Sequence, residues 1–466
     1  MPEPSHLPVE LFDRVIGYAT EGRSEFRILC NFSLVSRKLY AALNARIYSR
    51  WLYDGEHHSI SSLWKFLRSI LCSRRIADRV HGLNIRNWTF GLVHGHSRLI
   101  FSEDNLELVR NAIRTARLQR METSIMEALR KTDPRPLMAL LLANLRNLTT
   151  LYAHLPETDI FLAEVLRKAI EGRRDKSQNE YPPLNSLREA HLTSAWNYRK
   201  DWRARDEYKL ELHHLWPVFQ LPNIQRLSVF DFESLGASNR FGNSFKTSTI
   251  TDLTLVHYDD SLLAGPDTLA LLTLPKTLTI LSIYLNDCDL LRNCNQLSNA
   301  DLWKGIGQHE DSIEHLDIYR DRTGCAPPVH SANNSHFGSM QGFKRLERLY
   351  IQPEVLLGGY CGDDLAPFRL RDTLPPNLKS LTVYGDEGMA QNKALGRQLQ
   401  DVVTSTNFPR LSRVILEMTS DDIGCYTDPA DPPHDEVERA CRESGIEFET
   451  KHAFSLTKGG IGRRYY

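Results

Sequence analysis

Residues 274–286 read Leu274-Pro275-Lys276-Thr277-Leu278-Thr279-Ile280-Leu281-Ser282-Ile283-Tyr284-Leu285-Asn286. Leu281, Ile283 and Leu285 alternate with Ser282 and Tyr284, the period of two that makes one face of a strand apolar. Pro275 ends any helix before it and turns the chain into extended backbone. Leu278, three positions before Leu281, completes a unit of the form apolar-x-x-Leu-x-apolar.

The same unit occurs along most of the chain. It appears as Val80…Leu83-x-Ile85, Leu148…Leu151-x-Ala153, Leu187…Ala190-x-Leu192, Ile224…Leu227-x-Val229 and Ile250…Leu253-x-Leu255. After the quoted stretch come Ile313…Leu316-x-Ile318, Leu346…Leu349-x-Ile351, Leu378…Leu381-x-Val383 and Leu411…Val414-x-Leu416. Proline lead-ins recur at Leu221-Pro222, Leu374-Pro375-Pro376 and Phe408-Pro409. The later units are spaced by roughly 26–35 residues, and internal repetition of that kind decides a fold. Helical returns are expected at 158–171 and 392–404, with a last helix at 436–441 and a closing strand at 445–448. The first two units lie roughly 70 residues apart, which leaves room for an extra helical hairpin at about 103–145.

This pattern resembles a leucine-rich-repeat array of irregular type. The asparagine that often follows the strand stands only at Asn286, with Asp321 and Asp386 in equivalent places. The resemblance implies an α/β solenoid with a parallel sheet on its concave face. Side chains pointing outward from those strands would then meet a ligand. From Phe230 onward that stripe holds Phe230, Tyr284, Tyr319, Tyr350 and Tyr384, which become the expected substrate face. Tyrosine is also a good strand former that stacks on its neighbours, so the stripe has a purely structural reading as well.

Residues 5–50 have a different character. Ser5 or His6 can cap a helix, Pro8 fits its first turn, and Leu11, Phe12, Val15 and Ile16 share one face. A break at Glu21-Gly22-Arg23-Ser24 precedes a second helical segment with Phe26, Leu29, Phe32, Leu34, Val35, Leu39, Tyr40 and Leu43. Helices this short do not bury enough apolar surface alone and need a partner or a neighbouring domain. The run LPVELFDRVIGYA, followed by LCNFSLVSRKLYAALNARIYSR, resembles an F-box of the form common in fungal proteins. Leu7, Pro8, Glu10 and Leu11 match its opening, Val15 and Ile16 its apolar pair, and Val35, Ser36 and Arg37 its second segment. Trp often follows that arginine in the family, whereas Leu39 and Tyr40 stand here. The resemblance implies docking of these residues on the Skp adaptor of a cullin ubiquitin ligase, the repeats holding a substrate protein.

Four parts are therefore expected: an F-box helical module at 1–50, a helical linker with a first irregular repeat at 51–147, the solenoid at 148–450, and a tail at 451–466. At 466 residues the chain exceeds what one compact core fills. Its 41% hydrophobic and 25% charged residues are ordinary globular values, and the formal net charge of −1 argues against a nucleic-acid partner. The longest apolar run, Leu137–Ala143, is far short of the roughly 20 residues that span a bilayer, so no membrane partner is expected. No secretory signal is read at the N-terminus, and the cytoplasm or nucleus is the expected location. Eight cysteines contain no Cys-x-x-Cys pair, His57-His58 and His213-His214 lack companion ligands, and no metal or cofactor is expected. Neither Gly-x-Ser-x-Gly, His-Glu-x-x-His nor a dinucleotide fingerprint occurs, so the expectation is a non-catalytic subunit. A repeat scaffold unconnected with ubiquitin, its first helices a mere cap, is the alternative.

Overall fold

A computed structural model describes residues 11, 14–15, 18, 25–86, 101–156, 158–174, 182–194, 210–230, 232–233, 246–257, 265–286, 299–321, 337–357, 368–385, 393–420 and 434–454. The protein is α/β and its sheet strands run parallel. Two compact units divide it, one of residues 1–190 with 195–200, the other of 191–194 with 201–466.

In the first unit, helices Glu25–Val35 and Arg37–Ser49 lead straight into strand β1 (Arg50–Asp54). β1 pairs in register with β2 (Gly82–Arg86), and β2 pairs with β3 (Thr150–Leu155). Between β2 and β3 the expected hairpin is in fact three helices, Glu103–Thr115, Glu122–Arg130 and Arg135–Asn144. The last is buried from Pro136 to Leu142, which accounts for the longest apolar run without a membrane. No described helix is long and apolar enough to cross one. β4 (Glu189–Ser194) lies where the two units divide.

The second unit opens with a short pair, β5 (Leu210–Glu211) with β7 (Phe232–Glu233). Its main ladder runs in chain order through β6 (Arg226–Phe230), β8 (Asp252–His257), β9 (Ile280–Asn286), β10 (His315–Asp321), β11 (Arg348–Ile351), β12 (Ser380–Gly385), β13 (Arg413–Ser420) and β14 (Glu447–Phe454). All ten apolar units of the sequence fall on strands. Leu227, Leu253, Leu281, Leu316, Leu349, Leu381 and Val414 stand side by side, and none is more than 1% exposed. The apolar residue three positions earlier in each unit is buried too, from Ile224 to Leu411. The helical returns at Ile160–Arg174, Lys393–Val403 and Asp435–Glu443 lie where the pattern put them. The closing strand extends past 450 to Phe454, so the expected tail begins later than 451.

One backbone device is common to these turns. The carbonyl just before a strand accepts two amides of the next turn: Gln225 from Thr251 and Asp252, Thr251 from Thr279 and Ile280, Thr279 from Glu314 and His315. Glu314, Glu347 and Lys379 continue it, and His81 and Thr149 do the same in the first unit. Hydroxyls of Thr149, Thr251, Thr279 and Ser412 donate to the same carbonyls. Polar backbone at each turn thus finds partners without any side-chain consensus.

Return helices pack closely against one another. A methyl group on Gly305, in helix Asn299–Ile306, would lie 2.8 Å from Leu272 Cδ1 in helix Gly265–Thr273. His309 Nε2 and the Leu272 carbonyl, 2.7 Å apart, tie the same two turns.

Candidate functional site

The N-terminal helices are built around a small buried contact. Leu29 and Leu43 are 3% and 1% exposed, with Phe32 and Ile47 packed against them. Ser36 breaks the two helices at φ −156°, ψ 155°, and its hydroxyl accepts the amide of Leu39 at 3.1 Å, capping helix Arg37–Ser49. Asparagine at position 44 accepts from Arg79 Nη1 at 2.6 Å, fastening this helix to the turn before β2.

Several large apolar side chains of this segment are left uncovered. Leu34 is 84% exposed, Val35 72%, Tyr40 46%, and on the first helical stretch Leu11 46%, Val15 51% and Tyr18 72%. Among the described residues only Leu52 and Ile160 join them as exposed large hydrophobics. Six of the eight exposed large hydrophobics among the described residues thus fall within residues 11–40. Of the nine residues expected to dock, Leu11, Val15, Val35, Ser36 and Arg37 are all exposed. Leu7, Pro8, Glu10 and Ile16 lie outside the described residues. Leu34 and Tyr40 were absent from the expected set; helical periodicity marks them as apolar but does not say which face the partner helix takes.

The tyrosine row differs from its expectation. Phe230, Tyr284, Tyr319 and Tyr384 are 5%, 3%, 3% and 0% exposed and form one buried cluster with Val256, Tyr350 packing against it. Far from presenting free contact area, this second face of the sheet is itself a core. Its centre is Asp317, whose carboxylate accepts from the hydroxyls of Tyr284 on the neighbouring strand and of Tyr384 two strands away, the latter at 2.7 Å. Tyr319 meets Tyr384 edge-on at 5.2 Å, and His315 stacks on Tyr350 at 5.1 Å. Burial, followed by the Asp317 charge, holds the Tyr384 phenol well above its ordinary range, so it remains a donor. Burial and then Arg348 push His315 down to about 4, leaving it neutral near pH 7. Thr382 and Glu417 on the same face are also buried. Chemically this is a set of fixed, charge-assisted hydrogen bonds that crosses β9, β10 and β12.

In the first unit the corresponding face carries Arg86 over the ring of Tyr152, 5.6 Å from its centroid, and Tyr152 hydroxyl 3.1 Å from His154 Nε2. The turn after β1 brings Asp54 and Glu56 beside His57, companions that spacing in the sequence did not reveal. Their donor atoms lie within 4.8 Å of one another, yet Asp54 already pairs with His57 Nδ1 at 3.0 Å and accepts the Glu56 amide. These are the bonds of a self-capped turn. Free cysteines among the described residues are Cys30, Cys72 and Cys441, and burial pushes the Cys441 thiol up to about 11, away from reactivity.

No family model matches the chain, and no curated protein or solved structure matches it either.

Proposed function

We propose that this chain is an F-box-type adaptor of a Skp–cullin ubiquitin ligase, with a leucine-rich-repeat-like solenoid that carries the target protein. One observation supports the docking half above all: the uncovered apolar side chains of Leu11, Val15, Leu34 and Val35 sit on the helices that carry the F-box-like motif. Apolar anchors clustered on a small module suit a partner that desolvates them. In-order parallel strands with helical returns support the solenoid half. The adaptor role is positional: it raises the local concentration of a bound target near the transfer machinery. It also implies an address in the cytoplasm or nucleus. Because the tyrosine row is buried, the target surface lies elsewhere on the chain.

The test is capture of the purified Skp adaptor by the full chain. A Leu7→Ala, Pro8→Ala, Leu11→Ala variant and a separate Leu34→Asp, Val35→Asp variant are compared with wild type, after circular dichroism shows equal folding. Loss of at least about tenfold in affinity in both, or roughly 1.4 kcal/mol, is expected. A folded wild type that fails to bind refutes the adaptor function and leaves a repeat scaffold with a different partner.

A further inference from the structure

β14 pairs with β13 along its whole length, from Glu447 opposite Arg413 to Phe454 opposite Ser420. Among the described residues no strand takes its other edge. The Glu447 amide donates to the Ser412 carbonyl at 2.9 Å, on the β13 side. By strand alternation the backbone groups of Phe448, Thr450 and His452 therefore face the free edge. A long row of unpaired amides and carbonyls is a template for another strand.

Charges commonly guard such an edge, and Glu447, Glu449 and Lys451 stand along this one. Arg413 Nη2 reaches Glu449 at 2.5 Å, Arg413 Nε lies 3.4 Å from Glu447, and Lys451 Nζ lies 3.5 Å from Glu449. Glu449 and Lys451 keep 34% and 42% of their side-chain surface. Their spacing about Thr450, itself exposed, is self-complementary. An antiparallel pair of identical strands can match like faces only when centred on a residue. Centred on Thr450, it sets Glu449 of each chain against Lys451 of the other. Centred on Glu449 or Lys451, it sets that residue against its own copy, and centred on Phe448 it opposes Glu447 and Glu449. Directly opposed like charges destabilise a sheet and opposite ones support it. The Thr450 register also puts Thr450 in a hydrogen-bonded pair and the charged residues in the closer, non-hydrogen-bonded one.

We infer that this edge is a homodimer contact, with β14 of one chain pairing antiparallel with β14 of a second copy about a two-fold axis at Thr450. The occupant is a second copy because the charge pattern complements itself. This contact stands independently of the adaptor function.

The experiment measures the molar mass of the full chain in solution. At a loading of about 100 µM, where a Kd of about 10 µM leaves most chains paired, wild type is expected at twice the monomer mass. Glu449→Lys and Lys451→Glu, each alone, place like charges opposite each other twice and are expected to run as monomers. Mixed together they regain two opposite-charge pairs and are expected to form a heterodimer at the doubled mass. That recovery separates a contact effect from misfolding. A monomeric wild type at this loading, single variants that remain dimeric, or a mixture that stays monomeric each overturns the inference.

Discussion

Replacing Tyr384 by phenylalanine tests whether the second face of the sheet is a core. The ring is 0% exposed and its hydroxyl donates to Asp317 Oδ1 at 2.7 Å. Phenylalanine keeps the ring and its edge-on contact with Tyr319, so no cavity opens and the change isolates one hydrogen bond. A hydrogen bond to a charged group contributes about 1.5–3 kcal/mol, and the carboxylate left behind stays buried. Loss of about 2 kcal/mol is therefore expected in urea unfolding, read on the transition that includes β9–β12. Tyr284→Phe removes the other phenol from the same carboxylate. The two changes should be strongly non-additive in a double-mutant cycle, with a coupling of about 0.5–3 kcal/mol. If Tyr384 instead lay on an open substrate face, its substitution would change stability by less than about 0.5 kcal/mol. That result, with folding intact, would refute the two-sided core.

Two further outcomes follow from buried groups. Asp159 caps helix Ile160–Arg174, its Oδ1 accepting the amides of Phe161 and Leu162 at 2.8 and 3.1 Å, and burial raises its carboxyl to about 6. Since the folded state holds that proton more tightly than the unfolded one, this group's contribution declines as pH rises from the ordinary carboxylate range through 6. Asp159→Asn keeps the acceptor and removes the charge. It should gain about 1–3 kcal/mol relative to wild type at pH 7.5 compared with pH 4; equal differences at both values would contradict the burial cost. Gly305→Ala gains helix propensity but drives a methyl into Leu272, with a net loss of about 1–3 kcal/mol expected in thermal unfolding. Leu272→Ala should cost less in the Gly305→Ala background than in wild type, and a simple sum of the two penalties would show that the contact is not the cause.

How far the sequence could be read follows from what periodicity measures. Alternation in Leu281-Ser282-Ile283 identifies which side chains share a face, and an apolar face must be buried, so every strand of that pattern was legible. It does not say what lies over the opposite face. Sheets of parallel strands are commonly covered on both sides, and the hint was present. Ser228, Thr254, Ser282 and Thr382 are small hydroxyls where a wet face would carry charges, and all four are buried. Tyrosine at Tyr284 and Tyr384 suits an exposed contact and a buried ring equally well, and only the partner Asp317, from another turn, decides between them. β1 was missed for a different reason. Trp51 and Tyr53 point to the same face as Leu83 and Ile85, but the strand follows Ser49 without a turn signal. Similarly, three helices stand where one hairpin was expected, because their boundaries rest on local polar contacts such as the Ser102 cap and the Asp133 carboxylate that accepts the Arg135 amide.

The doubly accepting carbonyls fix each turn to the next at a single point ahead of the strand. The loop and return helix between the end of one strand and the next such point can vary in length without disturbing the ladder. A loop insertion after a strand would therefore leave neighbouring turns in place, whereas a one-residue slip ahead of it would break two backbone hydrogen bonds at once. Under tension applied at its ends, the second unit has, among the described residues, no hydrogen bond that spans the whole ladder. It would yield turn by turn, each release adding the contour of one repeat, about 110 Å for the 33 residues from Ser380 to Arg413.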